Sequence, residues 1–195
     1  TDSPKAVAAE MKKIGLDVPV LTDDAQLIGE NLGVTRVAQA FVIHPKTWSV
    51  VYSGPIDDRF AGATAKPNAP VQSAYVANAL DNLIAGKSVA ASTVQIDSPA
   101  LSFPKRDRQA DFSKISYSKE VAPILAKNCV SCHAEGGIAP FAMNSYETVK
   151  GFAPMIREAI RTDRMPPFNA DPHVGAFKNN MNMSNSDLQT LVHWV

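Results

Sequence analysis

Cysteine is almost missing from this chain, with two among 195 residues. A scaffold built on several disulfides is thereby excluded, and the core must come from apolar burial or from something bound. Net charge is missing as well, because nineteen Lys+Arg balance nineteen Asp+Glu. Without a cationic excess to hold a polyanion, nucleic acid is a poor partner. No run of 18 or more apolar residues is long enough to span a bilayer. Internal repeats and low-complexity tracts are lacking too. What is present, 45% apolar and 19% charged residues, is the composition of a folded protein rather than a disordered or collagenous one. A chain of this length buries ~70% of the surface its unfolded form exposes, enough for one good core or two small ones.

The two cysteines lie three apart and a histidine follows at once, in Cys129-Val130-Ser131-Cys132-His133. This is the spacing of c-type haem attachment. Two thiols so placed can add to the two vinyl groups of one haem, and the next residue can put an imidazole nitrogen on the iron. Cys129 and Cys132 are therefore read as covalent tethers and His133 as the proximal ligand. The competing readings are a redox dithiol, a structural disulfide and half of a zinc site. A redox pair belongs between a strand and a helix, whereas this one ends a helical pattern in an all-helical stretch. Zinc wants two further ligands at matching spacing, and no other cysteine exists.

For the sixth position there are six methionines, and a thioether on iron raises the potential, as suits an electron carrier. Met165 is the leading candidate, because it precedes Pro166-Pro167, whose fixed φ angles stiffen the loop. Met183, just before the last helix, is its main rival. Met143 and Met181 fall in expected loops and stay open; Met155 is expected in the core, and Met11 in the other domain. The proximal imidazole needs an acceptor for its other N–H, and the carbonyl of Pro140 is the expected one. Arg164 or Arg161 is a candidate for a haem propionate. Trp194 is read as core or haem-edge packing. His44, His173 and His193 have no metal-cluster spacing.

Hydrophobic periodicity divides the chain. Through residue 96, helical patterns (Ala6 to Ile14, a stretch capped by Asp23 or Asp24 and ending at Gly33, and Val71 to Ile84 with Gly86 as its stop) alternate with β-rich runs (Val18 to Leu21, Ala40 to Ile43, Ser49 to Tyr52). The last two runs, split by His44-Pro45-Lys46-Thr47, predict a hairpin. Residues 97–114, with Pro99, Pro104 and Lys105-Arg106-Asp107-Arg108, predict an exposed connector able to meet an acidic partner. From 115 to 195 only helices are expected: one from Tyr117 with Pro123 near its first turn, one capped by Ser145 and broken at Pro154, and one capped by Ser184 or Ser186. The expected fold class is α/β plus all-α. Thr1 follows no leader, and the stripe Leu188, Leu191, Val192, Val195 ends abruptly. An export signal removed upstream and a helix continuing downstream are the corresponding expectations.

Two resemblances sharpen this outline. Val18-Pro-Val-Leu-Thr-Asp23, Leu32-Gly-Val34, Phe41-Val-Ile-His-Pro45, Val51 to Asp58 and Ala79 to Lys87 make residues 1–96 resemble the C-terminal part of a thioredoxin-like domain of the peroxiredoxin and thiol-disulfide type. That family carries its redox cysteine further upstream, so this stretch has no thiol for the chemistry. Where the family has Thr-Pro with a cis bond this chain has Val37-Ala38, which implies a trans peptide. Val121 to Leu125, the CxxCH segment, Ala139-Pro-Phe141, Arg164-Met-Pro-Pro-Phe168, Asn179-Asn180 and Leu188 to Trp194 make residues 115–195 similar to the mono-haem cytochrome c domain of bacterial multidomain proteins. Such proteins can place this module after a redoxin-like domain and before a copper type II, ascorbate-dependent monooxygenase-like domain. The resemblance implies one covalent haem c and Met165 as axial ligand. The chain departs from the family at Phe168, where Trp is usual, a change expected to alter packing rather than ligation. The resemblance also implies a periplasmic or other extracytoplasmic location, redox protein partners, and a copper domain further along the parent protein. The functional expectation is an electron-transfer module. The alternatives are a haem- or thiol-dependent peroxidase, or a scaffold feeding electrons to the copper domain.

Overall fold

A computed structural model describes residues 3–15, 17–64, 66–87, 92–102, 112–171 and 174–194. Seven α-helices and one three-stranded mixed sheet are found among them, so the chain is a mixed α/β protein. It divides into two compact units, Gly29–Asp107 and a second that joins Thr1–Ile28 to Arg108–Val195.

The unit of residues 29–107 is built on the hairpin. Strands β1 (Ala40–Ile43) and β2 (Val50–Gly54) pair antiparallel with an irregularity at Val42/Ile43. The short β3 (Ser92–Thr93), which no periodicity announced, pairs parallel with β2. Helix α3 (Tyr75–Ile84) begins later than the apolar pattern implied, leaving Val71 outside and exposed, and Gly86 follows it in the left-handed conformation with φ +65°. Val42, Val51, Tyr52 and Ala79 form the small core, with Tyr75, Val76, Leu83 and Val94 packed around it. The Tyr52 hydroxyl donates to the Pro55 carbonyl at 2.5 Å.

One expectation fails here, and the trans peptide expected at Ala38 is found. Residues 97–101 are not a free connector, since Val37 N donates to Pro99 O (3.0 Å), Leu101 N to Thr35 O (2.9 Å) and Arg36 Nη1 to Ser98 O (2.8 Å). Groups at opposite ends of the unit's sequence satisfy one another, which polarity alone does not reveal. The run Lys105-Arg106-Asp107-Arg108 lies outside the described residues. The peptide at Ala38 is trans, with φ +56°.

In the other unit, α1 (Pro4–Ile14) is capped by Ser3, whose Oγ accepts from Ala6 N at 3.2 Å. Val18 to Leu21 is not a strand: Val18, Val20 and Leu21 stand exposed, and no ladder forms. β-rich composition makes a strand only when a partner supplies its hydrogen bonds. Helix α2 (Leu27–Asn31), of which only Leu27 and Ile28 fall in this unit, is shorter than expected, with Asp23 Oδ1 accepting from Ile28 N at 3.2 Å. The C-terminal helices follow the sequence pattern more closely. A π-turn (Tyr117–Val121) runs into α4 (Ala122–Asn128), and Pro123 sits in the first turn of α4. Ser145 caps α5 (Tyr146–Gly151), accepting from Thr148 N at 3.1 Å. The chain breaks at Phe152, and α6 (Ala153–Arg161) takes Pro154 at its start. Ser184 Oγ accepts from Asp187 N at 3.1 Å ahead of α7 (Asn185–Trp194).

The core of this unit is Val121, Ile124, Leu125, Met143, Val149, Ile156, Ile160, Leu191 and Val192, and Leu27 packs against it. Gln189, buried on α7, donates to the Ala25 carbonyl at 2.7 Å, and Asn185 one turn earlier donates to Asp24 O at 3.0 Å. These contacts explain why residues before 29 group with the C-terminal half. An outline of contiguous stretches, 1–96, 97–114 and 115–195, does not capture that arrangement.

Candidate cofactor site

The CxxCH segment continues the last turn of α4. Cys129 N donates to Leu125 O at 2.8 Å, and Cys132 N and His133 N both turn back onto Cys129 O at 3.1 and 2.9 Å. Both thiols and the imidazole thus sit on one compact turn. Neither cysteine is in a disulfide. Burial pushes the Cys129 thiol up to about 11, with the Cys132 thiol adding to the shift, so Cys129 is protonated at neutral pH.

His133 is buried, and the loop after it explains how. Gly137 N donates to Ala134 O (2.9 Å), Ala139 N to Cys132 O (3.1 Å) and Met143 N to His133 O (2.8 Å), which folds 134–143 back over the motif. Gly136 is left-handed (φ +71°), and a Cβ on Gly137 would lie 2.5 Å from Cys132 O and 2.9 Å from Ala134 O. Only glycine allows that approach. The fold-back delivers the carbonyl of Phe141 to His133 Nδ1 at 2.9 Å. A carbonyl can only accept, so Nδ1 donates, and in the neutral ring Nε2 is the nitrogen with a lone pair for an electrophile. The expected acceptor, Pro140, is replaced by Phe141, because the turn through Gly136-Gly137 brings that next carbonyl round to the ring. The rings of His133 and Phe141 lie 4.8 Å apart, and Phe141 stacks on Phe152 at 4.1 Å.

Compared with family models, curated proteins and solved structures, the chain matches none.

The methionines separate by environment. Met143 is buried in the core and Met183 packs against it, whereas Met165 and Met155 are exposed. Met181 N donates to Phe168 O at 2.9 Å. Arg164 is engaged otherwise than expected for a propionate partner: Nη2 meets Glu158 Oε1 at 2.5 Å and Nε donates to Thr162 Oγ1 at 3.0 Å, on the surface. The arginine with an unspent buried donor is Arg157 of α6, whose Nε has no hydrogen-bond partner. Its position beside the buried stripe of α6 was the only clue to it in the sequence. Arg161 is exposed. His44 Nδ1 accepts from Lys46 N and Thr47 N, both at 3.2 Å, and His193 stacks on Phe112 at 3.6 Å. His173 lies outside the described residues. Among the described residues no group of three or more His, Cys, Asp and Glu gathers.

The donor set suits a haem. Two free thiols and an imidazole with an available Nε2 share one turn, and Ile138, Phe152, Met155, Met165 and Phe168 leave apolar side chains uncovered in the same unit.

Proposed function

We propose that the helical unit is a mono-haem c electron-transfer module. The observation that carries the reading is the His133 Nδ1–Phe141 carbonyl bond, which orients the ring and leaves Nε2 available beside two unpaired thiols. Cys129 and Cys132 would hold the haem covalently through its vinyl side chains, His133 would supply a nitrogen ligand to the iron, and Met165 is the proposed sulfur ligand. Arg157, with its unpaired buried Nε, is offered to a propionate in place of Arg164. When bound, haem supplies one-electron exchange between ferric and ferrous iron. The chain's own work is to fix the imidazole, to exclude water around His133, and to choose a ligand set that favours the reduced state.

The unit of residues 29–107 holds no cysteine, and we read it as a redoxin-like scaffold or docking domain without thiol chemistry of its own. Its mixed sheet and helix α3 are compatible with that resemblance. Haem attachment at CxxCH follows export in bacteria, so the proposal carries an extracytoplasmic location; redox proteins as partners and a copper domain in the parent protein are proposed on the resemblance alone. No helix among the described residues is long and apolar enough to cross a membrane.

The test is chemical. Denatured protein extracted with acidified organic solvent should keep its colour and the mass of one haem, and Cys129→Ser with Cys132→Ser should release it. Colourless denatured wild-type protein with two thiols titratable by a sulfhydryl reagent would sink the proposal.

A further inference from the structure

Asn169 lies four residues after Met165, and its side-chain amide faces three acceptors: Asp163 O at 3.1 Å, Asp163 Oδ1 at 3.0 Å and Pro166 O at 2.7 Å. Asp163 precedes Met165 by two residues and Pro166 follows it directly, so one amide ties together both flanks of the methionine. Nδ2 has two hydrogens, and three acceptors consume its donor capacity. The segment is anchored at its start by Arg164 N and Met165 N on Ala159 O, at 2.9 and 3.2 Å. Its far end is anchored by Ala170 N, which donates to Asn180 Oδ1 and Asn182 Oδ1, both at 3.2 Å, and by Asn182 Nδ2, which returns to Ala170 O. Side-chain packing holds the loop at Pro166, which is buried, but does little at Met165 and Phe168, which are 41% and 54% exposed. Away from Pro166 the shape of the loop therefore depends on its hydrogen bonds.

We infer that Asn169 is a positioning residue for Met165: its amide ties the loop into one conformation, so that the thioether meets iron already ordered. The inference rests on Met165 as the sulfur ligand. A loop that is ordered before it binds has less entropy to lose when the sulfur engages, and a weak Fe–S bond is then harder to displace.

The experiment uses the haem-loaded chain and the variants Asn169→Leu, Asn169→Asp, Asn169→Gln and Met165→Ala. Removing the amide in Asn169→Leu should raise the affinity of the ferric protein for added imidazole about tenfold, as expected for losing about one net hydrogen bond. It should also weaken the sulfur-to-iron absorption band and lower the midpoint potential. Asn169→Asp should act more strongly, because a carboxylate would face three oxygen acceptors. Asn169→Gln, which keeps the amide, should recover part of the band and the potential, and it serves should the Leu variant disturb folding. Covalent haem content should stay unchanged throughout. If Met165→Ala abolishes the band while Asn169→Leu and Asn169→Asp match the unmutated protein in band, potential and imidazole affinity, the role of Asn169 is overturned by itself. If the band survives in Met165→Ala, the ligand assignment falls and the inference falls with it.

Discussion

Gly137 shows how one missing side chain can govern a site. Its ideal Cβ would sit 2.5 Å from a backbone oxygen, and a backbone oxygen cannot swing aside as a side chain can. Gly137→Ala should therefore cost ~2 kcal/mol or more, and should lower haem incorporation by moving the Phe141 carbonyl away from His133. Urea denaturation together with haem content in the purified variant would check both. At Asp57 the controlling group is Arg59. Hydrogen bonds from its guanidinium, then from its backbone N–H, hold the Asp57 carboxyl below its usual range against the opposing effect of burial. The sign follows from linkage: a depressed folded-state pKa adds stability above the ordinary carboxylate range, and that stability is lost as pH falls through the folded value. Asp57→Asn should accordingly destabilise the protein near neutrality and much less in acid. Thermal melts of both proteins at the two pH values would reveal the convergence; an equal deficit at both would overturn it.

Helix α7 shows what an element does beyond its own hydrogen bonds. One face, with Leu191 and Val192, fills the core, while Asn185 and Gln189 reach out to two consecutive carbonyls of the segment before α2. Gln189→Ala would leave the Ala25 carbonyl without its donor and open a cavity where the side chain is now 2% exposed. A loss of ~2 kcal/mol is expected in chemical denaturation. At the start of α5, Ser145→Ala should cost ~1 kcal/mol, the ordinary value of an N-cap. The helix starts were legible because a cap is a local event: Ser145, Ser184 and the proline positions of α4 and α6 announce themselves within four residues. Val18 to Leu21 was misleading for the converse reason, since a strand is completed by a partner that the local run does not contain.

The two units carry one tryptophan each. Trp48 stands exposed in the unit of residues 29–107, and Trp194 lies against Tyr117 and Tyr146 in the helical unit. A ligand that binds only the native form of one unit stabilises that unit alone. Removing haem, as in the double Cys→Ser variant, should thus lower the unfolding midpoint reported by Trp194 and leave that reported by Trp48 in place. Single-tryptophan variants followed by fluorescence during denaturation would read the two separately, and a shift in both would contradict the assignment of haem to one unit. At this scale the sequence by itself determined whatever depends on neighbours along the chain: the CxxCH turn, the hairpin, the amphipathic helices and their caps. Tertiary structure alone decided that Phe141 rather than Pro140 holds His133, that Arg164 pairs with Glu158, that Asn169 brackets Met165, and that residues before 29 belong with the C-terminal helices. Each of these is a hydrogen bond, ion pair or packing contact made when the chain folds back on itself. Periodicity and spacing record which residues can act, whereas the fold-back selects the atoms that meet.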